Sequence, residues 1–252
     1  MPMSKDNEFT HFGFDKVRAS DKAKKVANVF NSVAANYDVM NDLMSLGTHR
    51  ILKRIAANQT KLQTGEKVLD LAGGTGDMAL LLHRIVSPSG LVLICDINQN
   101  MLKKGRERLV DKGIIRGIGY VQADGEKLTF KKNSFDAITV SFGIRNFTNK
   151  QRALESMLEV LDYGGRLTIL EFSRPTNPTI SKAYRSFSGL WPKLGKFITG
   201  DESSYKYLIE SIQMHPDQQT LSDMISRAGF KNVECLSLLG GIVAIHSALK
   251  TR

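Results

Sequence analysis

From about residue 66 the chain alternates short apolar runs with stretches in which apolar residues recur every three or four positions, the signature of strands followed by amphipathic helices. The pattern predicts a strand over 66–72, a helix over 77–86 stopped by Ser87-Pro88-Ser89-Gly90, a strand over 91–97 and a helix over 99–112. Strands over 119–123 and 135–141 follow, then a helix over 150–161, a Gly164-Gly165 turn and a strand over 166–172. A helix over 220–228 precedes two apolar runs, 233–239 and 242–249, which flank Gly240-Gly241 and read as a closing hairpin at the sheet edge. The βαβα order predicts an α/β fold: a doubly wound, mostly parallel seven-stranded sheet with an antiparallel last strand.

Two segments lie outside this alternation. Residues 1 to about 60 read as an N-terminal helical extension capping a main domain over 61–252, and 174–216 reads as a helical insertion after the fifth strand. In the insertion Ile180, Tyr184, Phe187, Trp191, Leu194 and Ile198 recur at three- or four-residue spacing, with Lys182, Arg185, Lys193 and Lys196 interleaved and Pro192 expected to split the segment into two short helices. Three readings of that stripe stand side by side: a face covering the sheet, a wall for an apolar ligand, and a contact with a membrane surface.

At 252 residues, 42% hydrophobic and 24% charged, the chain is long enough for a full core and ordinary in composition. A net charge of +10 is dispersed and admits nucleic acid, an anionic membrane or no charged partner at all. Nucleic acid is not expected. The end of the fourth strand reads Ser141-Phe142-Gly143-Ile144, where base-modifying enzymes carry an Asn/Asp-Pro-Pro-aromatic tetrad, and no Pro-Cys pair occurs. Cys95 and Cys235 both fall in apolar strand-like runs, which predicts buried reduced thiols and a cytoplasmic setting. No signal-peptide core and no run of eighteen apolar residues is present.

The candidate chemistry centres on VLDLAGGTGD over 68–77, an apolar strand entering a glycine turn that opens a helix. Such a turn offers backbone N–H groups and a helix N-terminus to a ligand. Gly74, Gly76 and Ala79 also satisfy the dinucleotide pattern G-x-G-x-x-G/A, with Asp96 about twenty residues further on. Asp70 inside the strand tips the choice, because a nicotinamide-binding strand is normally apolar there, whereas an S-adenosylmethionine (SAM) site uses such an acid to face the methionyl ammonium. Asp96 at the end of the next strand is placed for the ribose hydroxyls, and Asp124 for the adenine amino group. Each Asp alone also reads as a helix cap or turn former; three in register after a glycine loop favour SAM. No metal is expected.

From His11-Phe12-Gly13-Phe14 through Val29-Phe30 and YDVMNDLMS, then LAGGTGD, SFGIRN, LEFS and SIQMHPDQ, the chain resembles the ubiquinone/menaquinone biosynthesis C-methyltransferases, the UbiE family. The likeness covers almost the whole chain. It implies a Rossmann-like class I SAM methyltransferase that methylates a ring carbon of a polyprenylated quinol, either demethylmenaquinol or 2-methoxy-6-polyprenyl-1,4-benzoquinol. Family SAM contacts carry over to Thr75, Asp96, Asp124, Gly125 and Ser141. Gly125, where relatives often have alanine, and Tyr163, where proline is common, depart from the pattern with little expected consequence. The resemblance is the main warrant for Tyr37, Asp38, Asn41, Asp201 and Tyr205 as acceptor-pocket residues. It also brings in a peripheral contact with the inner face of the membrane, a quinone-biosynthesis complex and a homodimer as partners to consider.

Carbon is a poor nucleophile unless the adjacent phenol is ionised, and a free phenol has a pKa of about 10. Arg145, just after the fourth strand, is the first candidate to stabilise a quinolate, as a permanent cation too basic to accept a proton itself. His215 is the second, as an imidazole able to take a proton near neutral pH. A salt bridge within the SFGIRN turn and a loop histidine before Pro216 are the plain structural alternatives. A nicotinamide-dependent oxidoreductase and a non-catalytic SAM-binding partner in a biosynthetic assembly are the competing functions.

Overall fold

The fold was read from a computed structural model that describes residues 9–33, 42, 45, 47–175 and 177–252. A seven-stranded sheet is built from β3 (Lys67–Leu71), β4 (Leu91–Asp96), β5 (Ile118–Gln122), β6 (Phe135–Ser141), β7 (Leu161–Phe172), β8 (Lys231–Leu238) and β9 (Val243–Leu249). Its spatial order is β5-β4-β3-β6-β7-β9-β8. The first five of these run parallel, and β9 lies antiparallel between β7 and β8. The order reverses between β3 and β6, where Asp70 pairs with Thr139, and an open α/β sheet leaves its ligand crevice at the carboxyl ends of such a pair.

Helices α3 (Asp77–Val86), α4 (Gln99–Asp111), α5 (Lys150–Val160) and α9 (Gln218–Arg227) cover the sheet on both sides. Strands covered on both faces bury most of their side chains, which is why their sequences read as nearly continuous apolar runs. Along β3, Val68 packs with Met78, Leu82 and Ile94, while Leu69 and Leu71 pack on the other face with Ile138, Leu154 and Met157. Burying a side chain of this size contributes about 1.5–3 kcal/mol.

The N-terminal extension differs from the helical expectation. Phe9–Phe12 (β1) and Asp15–Arg18 (β2) pair antiparallel around Gly13-Phe14, with Gly13 at φ +59° supplying the left-handed backbone of a two-residue hairpin turn. The ring of Phe12 stacks on Tyr207 at 4.2 Å, and the Phe14 N–H donates to Glu210 Oε2. Helix α1 (Ala19–Val33) follows, and α2 (His49–Gln59) packs Leu52, Ala56 and Ala57 into the main core.

The insertion comprises α6 (Pro178–Ser188), α7 (Trp191–Thr199) and α8 (Glu202–Met214). The break falls at Gly189-Leu190, and Pro192 stands in the first turn of α7, where a missing N–H costs nothing. Trp191 is fully buried, with the rings of Tyr184 and Phe187 edge-on to it at 6.0 and 5.7 Å. The side chains of Leu194 and Ile198 lie outside those described. Cys95 is buried, but Cys235 is exposed, against expectation. Its strand, β8, is the edge of the sheet and pairs only with β9, so most of its side chains face solvent.

Candidate active site

The crevice opens into a cavity of about 820 Å³. Its floor is made where β3 and β6 end. Ala72 and Phe142, the residues just past those strands, both take left-handed backbone at φ 55°. The two turns touch: a Cβ on Gly143 would sit 2.6 Å from that of Ala72, so only glycine lets them close together. Gly73 similarly lies over Asp70, where a Cβ would come within 2.8 Å of Oδ2.

Of the residues picked from sequence, Gly74, Asp96, Asp124, Gly125 and Ser141 line this one cavity. Asp70 lies beneath it, fully buried. Its Oδ1 accepts from Thr139 Oγ1 at 2.8 Å, while Oδ2 has no hydrogen-bond partner among the described residues. Burial pushes its carboxyl up to about 7. Asp96, also raised by burial, accepts from the Gly74 N–H at 3.0 Å through Oδ2 and from the Asn98 N–H at 2.8 Å through Oδ1. Thr75 and Gly76 stand behind the wall at the start of α3, where Gly76 adopts φ +80°. Asp77, in the first turn, holds Lys53 at 3.0 Å and Arg108. Burial works to raise the Asp77 carboxyl, and the two cations overcome it, leaving it at about 2.

Arg145 and His215 occupy a buried layer next to the cavity rather than its surface. Arg145 Nη1 donates to Glu171 Oε1 at 2.7 Å and to the carbonyl of Phe142, and its backbone N–H donates to Glu171 Oε2 at 3.2 Å. Its Nε is buried without a partner among the described residues, as are His215 Nδ1 and the hydroxyl of Tyr184. Burial, with Lys150, Arg145, His246 and Arg174 nearby, drives the His215 imidazole well below its ordinary pKa. Phe142 lines the cavity while its carbonyl holds Arg145, so one residue separates the guanidinium from the open space.

Asp201 caps α8, accepting from the Ser204 N–H at 3.0 Å and from the hydroxyls of Ser203, Ser204 and Ser32. Burial tends to raise its carboxyl, but these bonds hold it at about 2. Tyr205 is fully buried against Gly195, where a Cβ would meet its ring at 2.2 Å. Neither residue lines the cavity, and Tyr37, Asp38 and Asn41 lie outside the described residues.

Several residues escaped the sequence reading. Ala19, Ala23, Val26, Ala27 and Phe30 turn one face of α1 into a wall of the cavity. Asn31 Oδ1 accepts from Asn98 Nδ2 at 3.0 Å and Asn100 Nδ2 at 3.1 Å, which ties that wall to the turn carrying Asp96. Lys22 on α1 and Lys150 both donate to the carbonyl of Phe147, at 3.1 and 3.2 Å, and burial pushes Lys150 down to about 8. Glu171 had a readable signal, an acid inside the apolar run LTILEF, the same anomaly that singled out Asp70. The small apolar face of α1 had none, since it looks like any core-facing helix.

The cavity fits an adenosyl ligand bearing an ammonium: an orphaned buried carboxylate lies under a glycine turn that a Cβ would block, and further carboxylates sit at the ends of successive strands. Solved structures with the same fold include a SAM-dependent methyltransferase from Aquifex aeolicus (TM-score 0.59, 16% identity, covering 83% of this chain and 97% of that one). Another is Haemonchus contortus phosphoethanolamine N-methyltransferase 2 in complex with S-adenosyl-L-methionine (TM-score 0.55, 15% identity, 76% and 50%). Much nearer in sequence is the ubiquinone/menaquinone biosynthesis C-methyltransferase UbiE of Stutzerimonas stutzeri, 54% identical over 96% of this chain and 94% of its own length. The corresponding protein of Pseudomonas aeruginosa strain PAO1 is 53% identical over the same shares. With residues 18–250 also matched by the profile of that group, the acid-lined crevice has an ancestry as well as a geometry: the chain belongs to the ubiE/COQ5 methyltransferase family.

Proposed function

We propose that the cavity binds SAM between the β3–α3 turn and α1, and that the buried layer behind Phe142 handles the charge of a quinol ring presented to it. The chain is a SAM-dependent C-methyltransferase of ubiquinone/menaquinone biosynthesis, by its family and by relatives matching nearly its full length. Residues 1–60 then act as a cap on the cofactor side, 61–252 as the catalytic domain and 174–216 as the cover over the acceptor.

SAM, when bound, supplies a methyl group on a sulfonium sulfur. Asp70, through its unpartnered Oδ2, is the group to receive the ammonium, with Asp96 assigned to the ribose and Asp124 to the adenine. Gly74, Thr75, Gly76, Gly125 and Ser141 shape the turn ends around them. Arg145, anchored by Glu171 and Phe142 through Nη1, has its Nε buried and unpartnered behind Phe142, and is assigned to favour the ionised ring as a fixed cation acting across that residue. His215, kept neutral by burial and then by its cationic neighbours, is a weak base in this setting, and its buried, unpartnered Nδ1 is assigned to hydrogen bonding on the acceptor side rather than to holding a proton near neutral pH. Tyr205 shapes the acceptor side from behind by seating α7 on α8, and Asp201 does so by capping α8 and tying it to α1 through Ser32. Tyr37, Asp38 and Asn41 are assigned to the same side from the family likeness.

The observation that carries this reading is the orphaned oxygen of Asp70 beneath the glycine turn. The test is a transfer assay with labelled SAM and two reduced acceptors, a demethylmenaquinol and a methoxy-polyprenyl-benzoquinol, with the new methyl located by NMR. Ring-carbon methylation of one or both is expected. Tight SAM binding with no transfer to either would overturn the acceptor assignment.

A further inference from the structure

We propose that the outer face of α7, with the turn before it, docks on an anionic lipid surface. The inward face of α7 is settled: Trp191 is fully buried and Gly195 lies on the ring of Tyr205. The opposite face carries Leu190, 53% exposed, and Phe197, 90% exposed. Residues 190, 193 and 197 recur at the spacing of one helical face, so Lys193 stands between the two apolar side chains, with Lys196 beside Phe197. Lys182 and Arg185 on α6 are exposed as well.

Charge decides between a bilayer and an ordinary solvated helix. Between Glu171 and Asp201 the sequence contains five Lys and Arg residues and no Asp or Glu. At the start of α8, Glu202 pairs with Lys196 at 3.5 Å on the exposed surface, leaving Lys193 as the cation between the two apolar side chains. A helix with aromatic and aliphatic side chains outward, set in a stretch that carries five cations and no acid of its own, matches an interface that is anionic at its headgroups and apolar below. No helix among the described residues is long and apolar enough to cross a membrane, so the contact is peripheral. It does not depend on which ring the enzyme methylates.

The experiment is flotation of the intact chain with phosphatidylcholine vesicles, with and without phosphatidylglycerol, in the absence of any acceptor. Binding is expected only to the anionic vesicles and is expected to weaken as salt rises. Lys193→Gln should lower partitioning roughly fivefold, and Phe197→Ser about tenfold. Both variants should keep the far-UV circular dichroism of the parent and its affinity for SAM. A parent chain that stays unbound on anionic vesicles at low salt would overturn the proposal and favour an acidic protein as the partner of this face. Variants that float as well as the parent would overturn it too, by placing the contact elsewhere. Absence of turnover by the parent on a short-tailed, water-soluble quinol would instead count against the catalytic reading, leaving this one standing.

Discussion

Glu171 grips Arg145 twice, accepting from its guanidinium at 2.7 Å and from its backbone N–H at 3.2 Å, with both side chains almost wholly buried. Removing one partner of a buried pair strands the other charge, which costs about 3–5 kcal/mol. Glu171→Ala should lose that much stability in urea unfolding. Arg145→Ala should abolish methyl transfer while SAM still binds by calorimetry, because Arg145 lies outside the cofactor cavity. The double variant Arg145→Leu/Glu171→Leu should recover stability and stay inactive; activity in it would remove the guanidinium from the chemistry.

Asp70 predicts an unusual pH dependence. Its carboxyl is raised to about 7 in the folded chain, against about 3.9 in an unfolded one. Between those values the native state holds a proton that the unfolded state has lost, so stability falls as pH rises through the window, by on the order of 4 kcal/mol in all. A bound ammonium reverses the preference, so SAM affinity should climb as pH passes neutrality. Thermal melts of the parent and Asp70→Asn across this range, with and without SAM, would check both. An equal pH slope in the variant would dissociate Asp70 from the effect.

Asp77 behaves in the opposite sense. Its carboxyl is held at about 2, so the stability it adds is full above pH 4 or so and disappears as pH falls toward 2. The gain at neutral pH is about 2–3 kcal/mol. Asp77→Asn should lose it at pH 7 and show a shallower acid-unfolding profile than the parent.

Asn31 joins α1 to the turn that carries Asp96. Asn31→Ala removes the acceptor for two side-chain amides, at about 0.5–1.5 kcal/mol each. The bound cofactor should then leave about fivefold faster in stopped-flow, with the fold intact. An unchanged off-rate would mean that α1 is held shut by its apolar face alone.

The βαβ core and the strand-end part of the cavity were legible in the chain because their signals are local. Strand and helix periods, a glycine turn, and acids at the ends of apolar runs all lie within a few residues of one another. Gly74, Asp96, Asp124, Gly125 and Ser141 come together because strands of a parallel sheet end on the same side. The N-terminal hairpin was also local, in the Gly13 turn, but its strands are only four residues long and it is held by the docking of Phe12 on Tyr207.

By itself, then, the sequence determined the order of elements from residue 66 onward, the glycine turn, the acids at the strand ends and the family, but it predicted a helical extension where β1 and β2 form a hairpin. Only the tertiary structure decided that α1 lines the cavity, that Arg145 is held by Glu171 behind Phe142, that Ser32 of α1 bonds Asp201, and that Cys235 faces solvent on the edge strand. Periodicity tells which face of an element avoids water but not what covers it. That depends on contacts between segments distant in the chain, such as Ser32 with Asp201 or Tyr207 with Asn146, whose partners form only when the whole sheet has assembled.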